Sequence, residues 1–200
     1  MNDVNREEQK AQELALACSL TNKLFDAEQS KPVIYLEPTS SVSDAAVSDR
    51  WQRVNNSKGH LKNMRWKDIY RKQQRSPNKF MCTVKDSVTK EIVGFISGKY
   101  SEGDTDGSRI SIDYVERSNT SRRAKGYIID IAMKLAYVLG FAKRCTHVKV
   151  NNPVYDLIKY YQDEMPESKL VKHKQSSYLI AAIDHKLVLE QLEGFLPDNN

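Results

Sequence analysis

Apolar residues recur at different periods along this chain, and each change of period marks an element. In residues 6–29, Leu14, Ala17, Cys18, Leu24 and Phe25 fall on one side of a helical wheel whose first turns are rich in Glu, which predicts an amphipathic helix. Val33 to Leu36 is a short β-like run closed by Pro38, and Ser-rich Thr39–Ser48 reads as a loop or linker. Asp49–Gln74 has mostly helical composition, with Gly59 dividing it, and Ser76-Pro77-Asn78 forms a turn. The period then shortens to that of strands. Phe80–Val84 and Ile92–Gly98 flank a turn and predict a β-hairpin. Gly103–Gly107 is a further turn, too short for a calcium loop and without its closing Glu. Arg109–Val115 is a third strand, with Ile110, Ile112 and Tyr114 expected on one face.

After a long polar loop, Glu116–Lys125, helical spacing returns. Ile128, Ile131, Ala132, Leu135 and Leu139 predict a helix over 126–139 that Gly140 terminates. Thr146–Val150 is a strand, Val154–Met165 a helix ended by Pro166, Lys169–Lys174 and Ser177–Ile183 a hairpin, and Lys186–Phe195 a terminal helix. The pattern predicts an α+β fold, with a mixed, mostly antiparallel central sheet and flanking helices. A single right-handed strand–helix–strand crossover interrupts the antiparallel order. Three segments are expected: 1–79, helical and carrying a basic block, packed on or part of the core; 80–185, the core itself; and 186–200, a C-terminal helix and tail.

Composition narrows the possibilities. No apolar run approaches the roughly 20 residues that span a bilayer, and the opening residues are polar and acidic rather than signal-like. Cys18, Cys82 and Cys145 have neither metal-ligand spacing nor a disulfide pattern, so a reducing, cytoplasmic setting is expected. His60, His147, His173 and His185 show no ligand spacing either, and no metal site is expected. The net charge of +5 is unevenly spread: nine acids and four bases precede Arg50, whereas ten bases and only Asp68 occupy Arg50–Lys79. That block, with Trp51 and Trp66 inside it, is either a solvated helix face, a partner of the acidic N-terminal segment, or a docking patch for an acidic partner such as nucleic acid.

The chemistry concentrates where the third strand runs into Ser121-Arg122-Arg123-Ala124-Lys125-Gly126 and then a helix. Backbone N–H groups at a helix N-terminus bind phosphate, Gly lets an anion approach, and Arg122, Arg123 and Lys125 add charge-assisted bonds. The ligand expected is a phosphate or pyrophosphate, near the carboxyl end of the strand that feeds the helix. Walker, Rossmann and Gly-x-Ser-x-Gly patterns are absent, which argues against nucleotide hydrolases, dehydrogenases and serine hydrolases.

This order of elements resembles the GNAT superfamily of acetyl-CoA-dependent N-acyltransferases over roughly residues 80–183, as a divergent bacterial-type member. The motif match falls on Arg123-Ala124-Lys125-Gly126-Tyr127-Ile128, with Ile128 where Gly or Ala is usual and a loop about three residues longer. Asp113-Tyr114-Val115-Glu116-Arg117 is similar to a bacterial subgroup. The resemblance implies that acetyl-CoA, or another acyl-CoA, lies against Tyr114, Val115, Arg117, Arg122, Arg123, Ala124, Lys125, Gly126, Tyr127 and Ile128. It also implies a bulged strand before the loop and a following strand that splays away. Asn151 or Asn152 matches a family Asn, Asn152 being the choice for the cofactor. Glu116 is the expected general base, with Asp113 second, and Tyr160 or Tyr161 the acid for the leaving thiolate. A backbone N–H near Val115 would hold the oxyanion.

The acceptor is an amine, on a small molecule or a protein, and a homodimer is possible. The competing expectation is a GNAT-like module without catalysis that docks an acidic protein or nucleic acid through Arg50–Lys79. A third is an acyltransferase acting on nucleic acid or on a protein bound to it.

Overall fold

The computed structural model describes residues 3–51, 64–104 and 107–196. Among them, seven strands form one sheet: β1 (Ile34–Pro38), β2 (Lys79–Asp86), β3 (Ile92–Asp104), β4 (Gly107–Arg117), β5 (His147–Asn151), β6 (Lys169–His173) and β7 (Ser176–Ala182). Their order is β1-β2-β3-β4-β5-β7-β6, and only β4 and β5 run parallel. The helices are α1 (Asp3–Glu28), α2 (Val42–Ala46), α3 (Trp66–Gln74), α4 (Ile128–Ala142), α5 (Ile158–Glu164) and α6 (His185–Leu192). The predicted α+β class, mostly antiparallel with one crossover, is the class observed.

The two sheet faces have different covers. On one, Phe25, Ile96, Ile110, Ile112, Leu135 and Leu179 belong to the main core, formed with α1 and α4. On the other, Trp66 and Ile69 of α3 and Ala45 of α2 close over Met81 and Phe95. The amide of Asn22 in α1 donates to the Leu36 carbonyl at 2.9 Å and its oxygen accepts from the Leu36 N–H at 2.7 Å. That pair satisfies one residue of edge strand β1 and pins α1 to the sheet.

Several expectations are corrected. Thr39–Ser48 is not a linker: α2 and a 3-10 turn occupy it, because Ser41 caps α2 by accepting the Asp44 N–H at 3.1 Å. Ala45 and Ser48 are buried, so the small residues serve packing. The division of the basic block at Gly59 lies outside the described residues. Gly126 does not open α4; it sits in the turn two residues before it, at φ +93°. Tyr114 does not share a face with Ile110 and Ile112. The β3–β4 register passes from Ser97↔Tyr114 to Gly98↔Ile112, which leaves Asp113 as an extra residue. This bulge reverses the alternation after Ile112, so Val115 packs with the main core while Tyr114 faces α3.

Gly140 does not end its helix either. It lies within α4, where a Cβ would come within 2.5 Å of Ile183 Cδ1, so the glycine makes room for close packing. Gly140→Ala is therefore expected to destabilise the wild-type chain by about 1–2 kcal/mol through overpacking. In an Ile183→Val background, which removes the obstructing methyl, the same change is expected to stabilise by several tenths of a kcal/mol through helix propensity. Urea denaturation of the four variants checks this change of sign; destabilisation in both backgrounds would restore the helix-stop reading.

Candidate functional site

The bulge at Asp113 sets the geometry of the site. β4 and β5 pair from Arg109↔His147 only as far as Ile112↔Val150, although β4 continues to Arg117. The β4–β5 ladder therefore ends at Ile112↔Val150, and the two strands part into a V. One bridge crosses the mouth of this opening: Asn151 Nδ2 donates to Asp113 Oδ1 at 2.6 Å, and Ser111 Oγ donates to the same oxygen at 2.9 Å.

Past Arg117 the chain forms a tight series of turns. Arg117 Nη1 donates to the Ser118 carbonyl at 2.8 Å and to the Ser121 carbonyl, so its guanidinium braces the loop from within. The Ser118 N–H donates to the Val93 carbonyl at 2.8 Å, and the Ala124 N–H to Ser121 Oγ at 3.3 Å. Ala124 is fully buried, whereas Arg122, Lys125 and Gly126 are exposed. Gly126 adopts a left-handed conformation, and no atom lies within 4 Å of where its Cβ would stand. A side chain there would fill open space next to the start of α4. Tyr127, the N-cap of α4, supplies no side-chain capping bond; its ring stands edge-on to Phe25 of α1 at 5.9 Å. First-turn amides are left to other partners, as at anion-binding helix starts.

Two residues resolve differently from their sequence reading. Ile128 is buried, and its Cδ1 reaches over Gly94 of β3, where a Cβ would come within 2.4 Å of it. Its side chain thus points into the core, not into the loop. Asn152, in a left-handed conformation, accepts the Ser177 N–H with its side chain at 3.1 Å and donates its own N–H to the Ser177 carbonyl at 2.7 Å. It ties the end of β5 to β7, and Asn151 is the asparagine that faces the opening.

The acid–base candidates also separate. Glu116 accepts a hydrogen bond at Oε2 from the indole N–H of Trp66, which is wholly buried in the second core and stands edge-on to Tyr114 at 6.5 Å. The carboxylate is thereby fixed against α3. Burial first, then the charge of Asp113, raises the Tyr114 hydroxyl pKa. Tyr161 is 6% exposed and burial pushes its pKa up to about 12, while Tyr160 is 60% exposed. Sequence reasoning missed Trp66 and Asp86. Trp66, Ile69 and Gln73 lie at i, i+3 and i+7, an inward stripe that identifies the buried face of α3 within the basic block. Around that stripe, Arg65 and Arg71 pair with Asp68 at 2.9 and 3.3 Å, and Lys67 pairs with Asp49 at 2.6 Å, so part of the block is neutralised internally.

Asp86 holds the other side of the loop. Its buried Oδ1 accepts the Val88 and Thr89 N–H groups at 2.8 and 3.0 Å and lies 3.6 Å from Arg123. Burial alone would raise this carboxyl; the two amides and then the Arg123 charge outweigh it and hold the pKa below its ordinary value.

No protein-family model matches this chain, and no curated protein sequence does. Solved structures do match. "AtaTR bound with AcCoA" has a TM-score of 0.56 at 9% identity, over 79% of this chain and 97% of that one. The "KacTA-DNA complex" gives 0.55 at 11%, over 80% and 98%. The "NatC complex bound to Gag peptide and CoA" gives 0.53 at 14%, over 76% and 99%. The fold is that of the GNAT acetyltransferases.

Two outcomes follow from these contacts. Trp66→Phe keeps an aromatic ring under the sheet but removes the indole donor to Glu116. A loss of about 1.5–3 kcal/mol is expected, the usual worth of a hydrogen bond to a charged group, measured by chemical denaturation. Asp86 has a depressed folded pKa, so its contribution is present above the unfolded value of about 4 and is lost as pH falls through the folded value. Asp86→Asn is expected to flatten the acid limb of the stability–pH curve below pH about 4 and leave its neutral-to-alkaline shape unchanged.

Proposed function

We propose that the chain is an N-acyltransferase that moves an acetyl group from acetyl-CoA to an amine by direct attack within a ternary complex. The observation that carries this reading is the parting of β4 and β5 directly beside the Gly126 turn. An extended arm has the gap between the two parted strands, and an anion has a turn with free space above it. Neighbouring structures of the same fold that hold AcCoA or CoA support the same donor.

The residues present fit such a donor. Arg122 and Lys125, both exposed, flank Gly126 and would contact the pyrophosphate along with the first-turn amides of α4. Arg123 stands beside them, pinned by Asp86. Ala124, Tyr127 and Ile128 contribute backbone, since their side chains are packed inward or against α1. Arg117 shapes the loop. The backbone N–H groups of Val115 and Arg117 would hold the pantetheine arm and, near Val115, the developing oxyanion.

Bound acetyl-CoA supplies a thioester carbonyl activated toward amines. Glu116, oriented by Trp66, takes the proton from the attacking ammonium. Tyr161 keeps its hydroxyl proton throughout the neutral range because burial lifts its pKa to about 12, and it is the donor to the leaving sulfur. Tyr160, on the exposed side of α5, is the lesser candidate.

Calorimetry with acetyl-CoA tests the reading first. Sub-millimolar binding is expected for the wild type and none for Gly126→Glu, whose carboxylate would occupy the anion position; absence of binding by the wild type rules the proposal out. Glu116→Gln is expected to lower kcat by about 10²–10⁴-fold, the usual worth of a general base, with acetyl-CoA affinity unchanged. An equal or larger loss in Asp113→Asn with Glu116→Gln near wild type would transfer the role to Asp113. Tyr161→Phe should lower kcat and Tyr160→Phe should not.

A further inference from the structure

The face of the sheet opposite the main core carries a line of lysines that the loop chemistry does not use. Strand register puts Lys79 opposite Lys99, Lys99 opposite Ser111, Ser111 opposite Lys149, Lys149 opposite Ile180, and Ile180 opposite Lys169. Cross-strand partners share a face, so these six residues form one row across β2, β3, β4, β5, β7 and β6. Four of the six are lysines. At about 4.8 Å per strand the row spans roughly 24 Å. The next row along the strands adds Arg109 opposite His147.

This row abuts the candidate site. Ser111, in its middle, donates to Asp113 at 2.9 Å, and Asn151, two residues beyond Lys149, donates to the same carboxylate at 2.6 Å. Two residues along a strand cover about 6.8 Å. The row therefore lies next to the Asp113–Asn151 bridge where the β4–β5 opening begins, within reach of an acceptor docked along it. Among the described residues α2 and α3 pack on this face against Met81, Ile92, Phe95, Ser97 and Tyr114, and α1, α4 and α6 pack on the other face. Lys79 and Lys99 are like charges placed directly opposite, an arrangement that costs stability. Among the described residues neither they nor Lys169 forms an ion pair. Such a line is favourable when an anion lies on it.

We propose that this lysine row is the acceptor-docking face and that the acceptor is an amine on an acidic polypeptide. The inference rests on the acyl-transfer reading for the amine and on the register alone for the charge. A cationic acceptor, such as a polyamine or a Lys-rich tail, is repelled by the row. Nucleic acid fits less well on two counts. Its base amines are conjugated and weakly nucleophilic. Tyr178, the aromatic residue next to the row, already has Lys149 Nζ 3.7 Å from its ring centroid, so it offers no open stacking platform. Ile180 and Val171 between the basic positions suit the apolar side chains of a peptide.

The test uses three ten-residue peptides with free N-terminal amines, identical except for Asp/Glu, Gln or Lys/Arg at alternate positions. Release of CoA from acetyl-CoA is followed, and in parallel the binding of each fluorescent peptide without acetyl-CoA. The acidic peptide is expected to show a kcat/KM about tenfold above the neutral one at low salt, with the gap closing as salt screens the charges. Lys99→Glu with Lys169→Glu should reverse the order while acetyl-CoA affinity holds. Equal use of the three peptides, indifference to this charge reversal, or tighter binding of a single-stranded oligonucleotide of matched charge would overturn the proposal. Charge-dependent binding without turnover of any amine would instead defeat the acyl-transfer reading and leave the docking face standing.

Discussion

The site depends on one extra residue in β4. Up to Ile112 the strand is hydrogen-bonded on both edges and alternates regularly between two cores. Asp113 has no opposite residue on β3, and from there the alternation reverses and the β5 pairing ends. Three consequences share that cause. Val115 turns into the main core, Tyr114 and Glu116 turn toward α3, and the ladder with β5 stops at Ile112. In a closed sheet such a gap would be a defect; beside a turn that holds open space above Gly126 it forms a slot.

The surroundings hold that slot in shape. Arg117 braces the loop through two carbonyls, Asp86 gathers two amides and Arg123, and Ile128 anchors the start of α4 over Gly94. On the far side, Trp66 links the second core to Glu116. Because both cores contact β3 and β4, helix packing at some distance fixes the orientation of the carboxylate and the loop. This is the supporting shell that positioned groups require. The same sheet divides the charge: acids cluster at the opening, and a lysine row lies alongside it.

Much of the architecture was legible in the chain. The strand and helix periods located every described strand and the larger helices, while Gly126, read as the first residue of α4, lies in the turn before it. Ile128 and Gly140 show where that reasoning stops. Ile128 was expected against the cofactor, yet its side chain reaches a glycine 34 positions earlier; Gly140 looked like a helix end, yet it accommodates Ile183, more than 40 positions later. In both cases the partner is distant in sequence, and no local pattern encodes it. Trp66 was hidden in the same way, since its bond to Glu116 spans fifty positions. Its inward stripe with Ile69 and Gln73 was present in the sequence and went unread beneath the charge.

By itself the chain determined which segments are strands and helices, the single crossover between β4 and β5, and the placing of a basic glycine turn before α4. These follow from local periodicity and from the steric handedness of strand–helix–strand units. The tertiary structure alone decided which way each residue after Ile112 points, which asparagine faces the opening, and that four lysines from four strands form one line. A one-residue change of register inverts every side chain beyond it. Register is set by pairing between distant strands, so these properties exist only once the sheet is assembled.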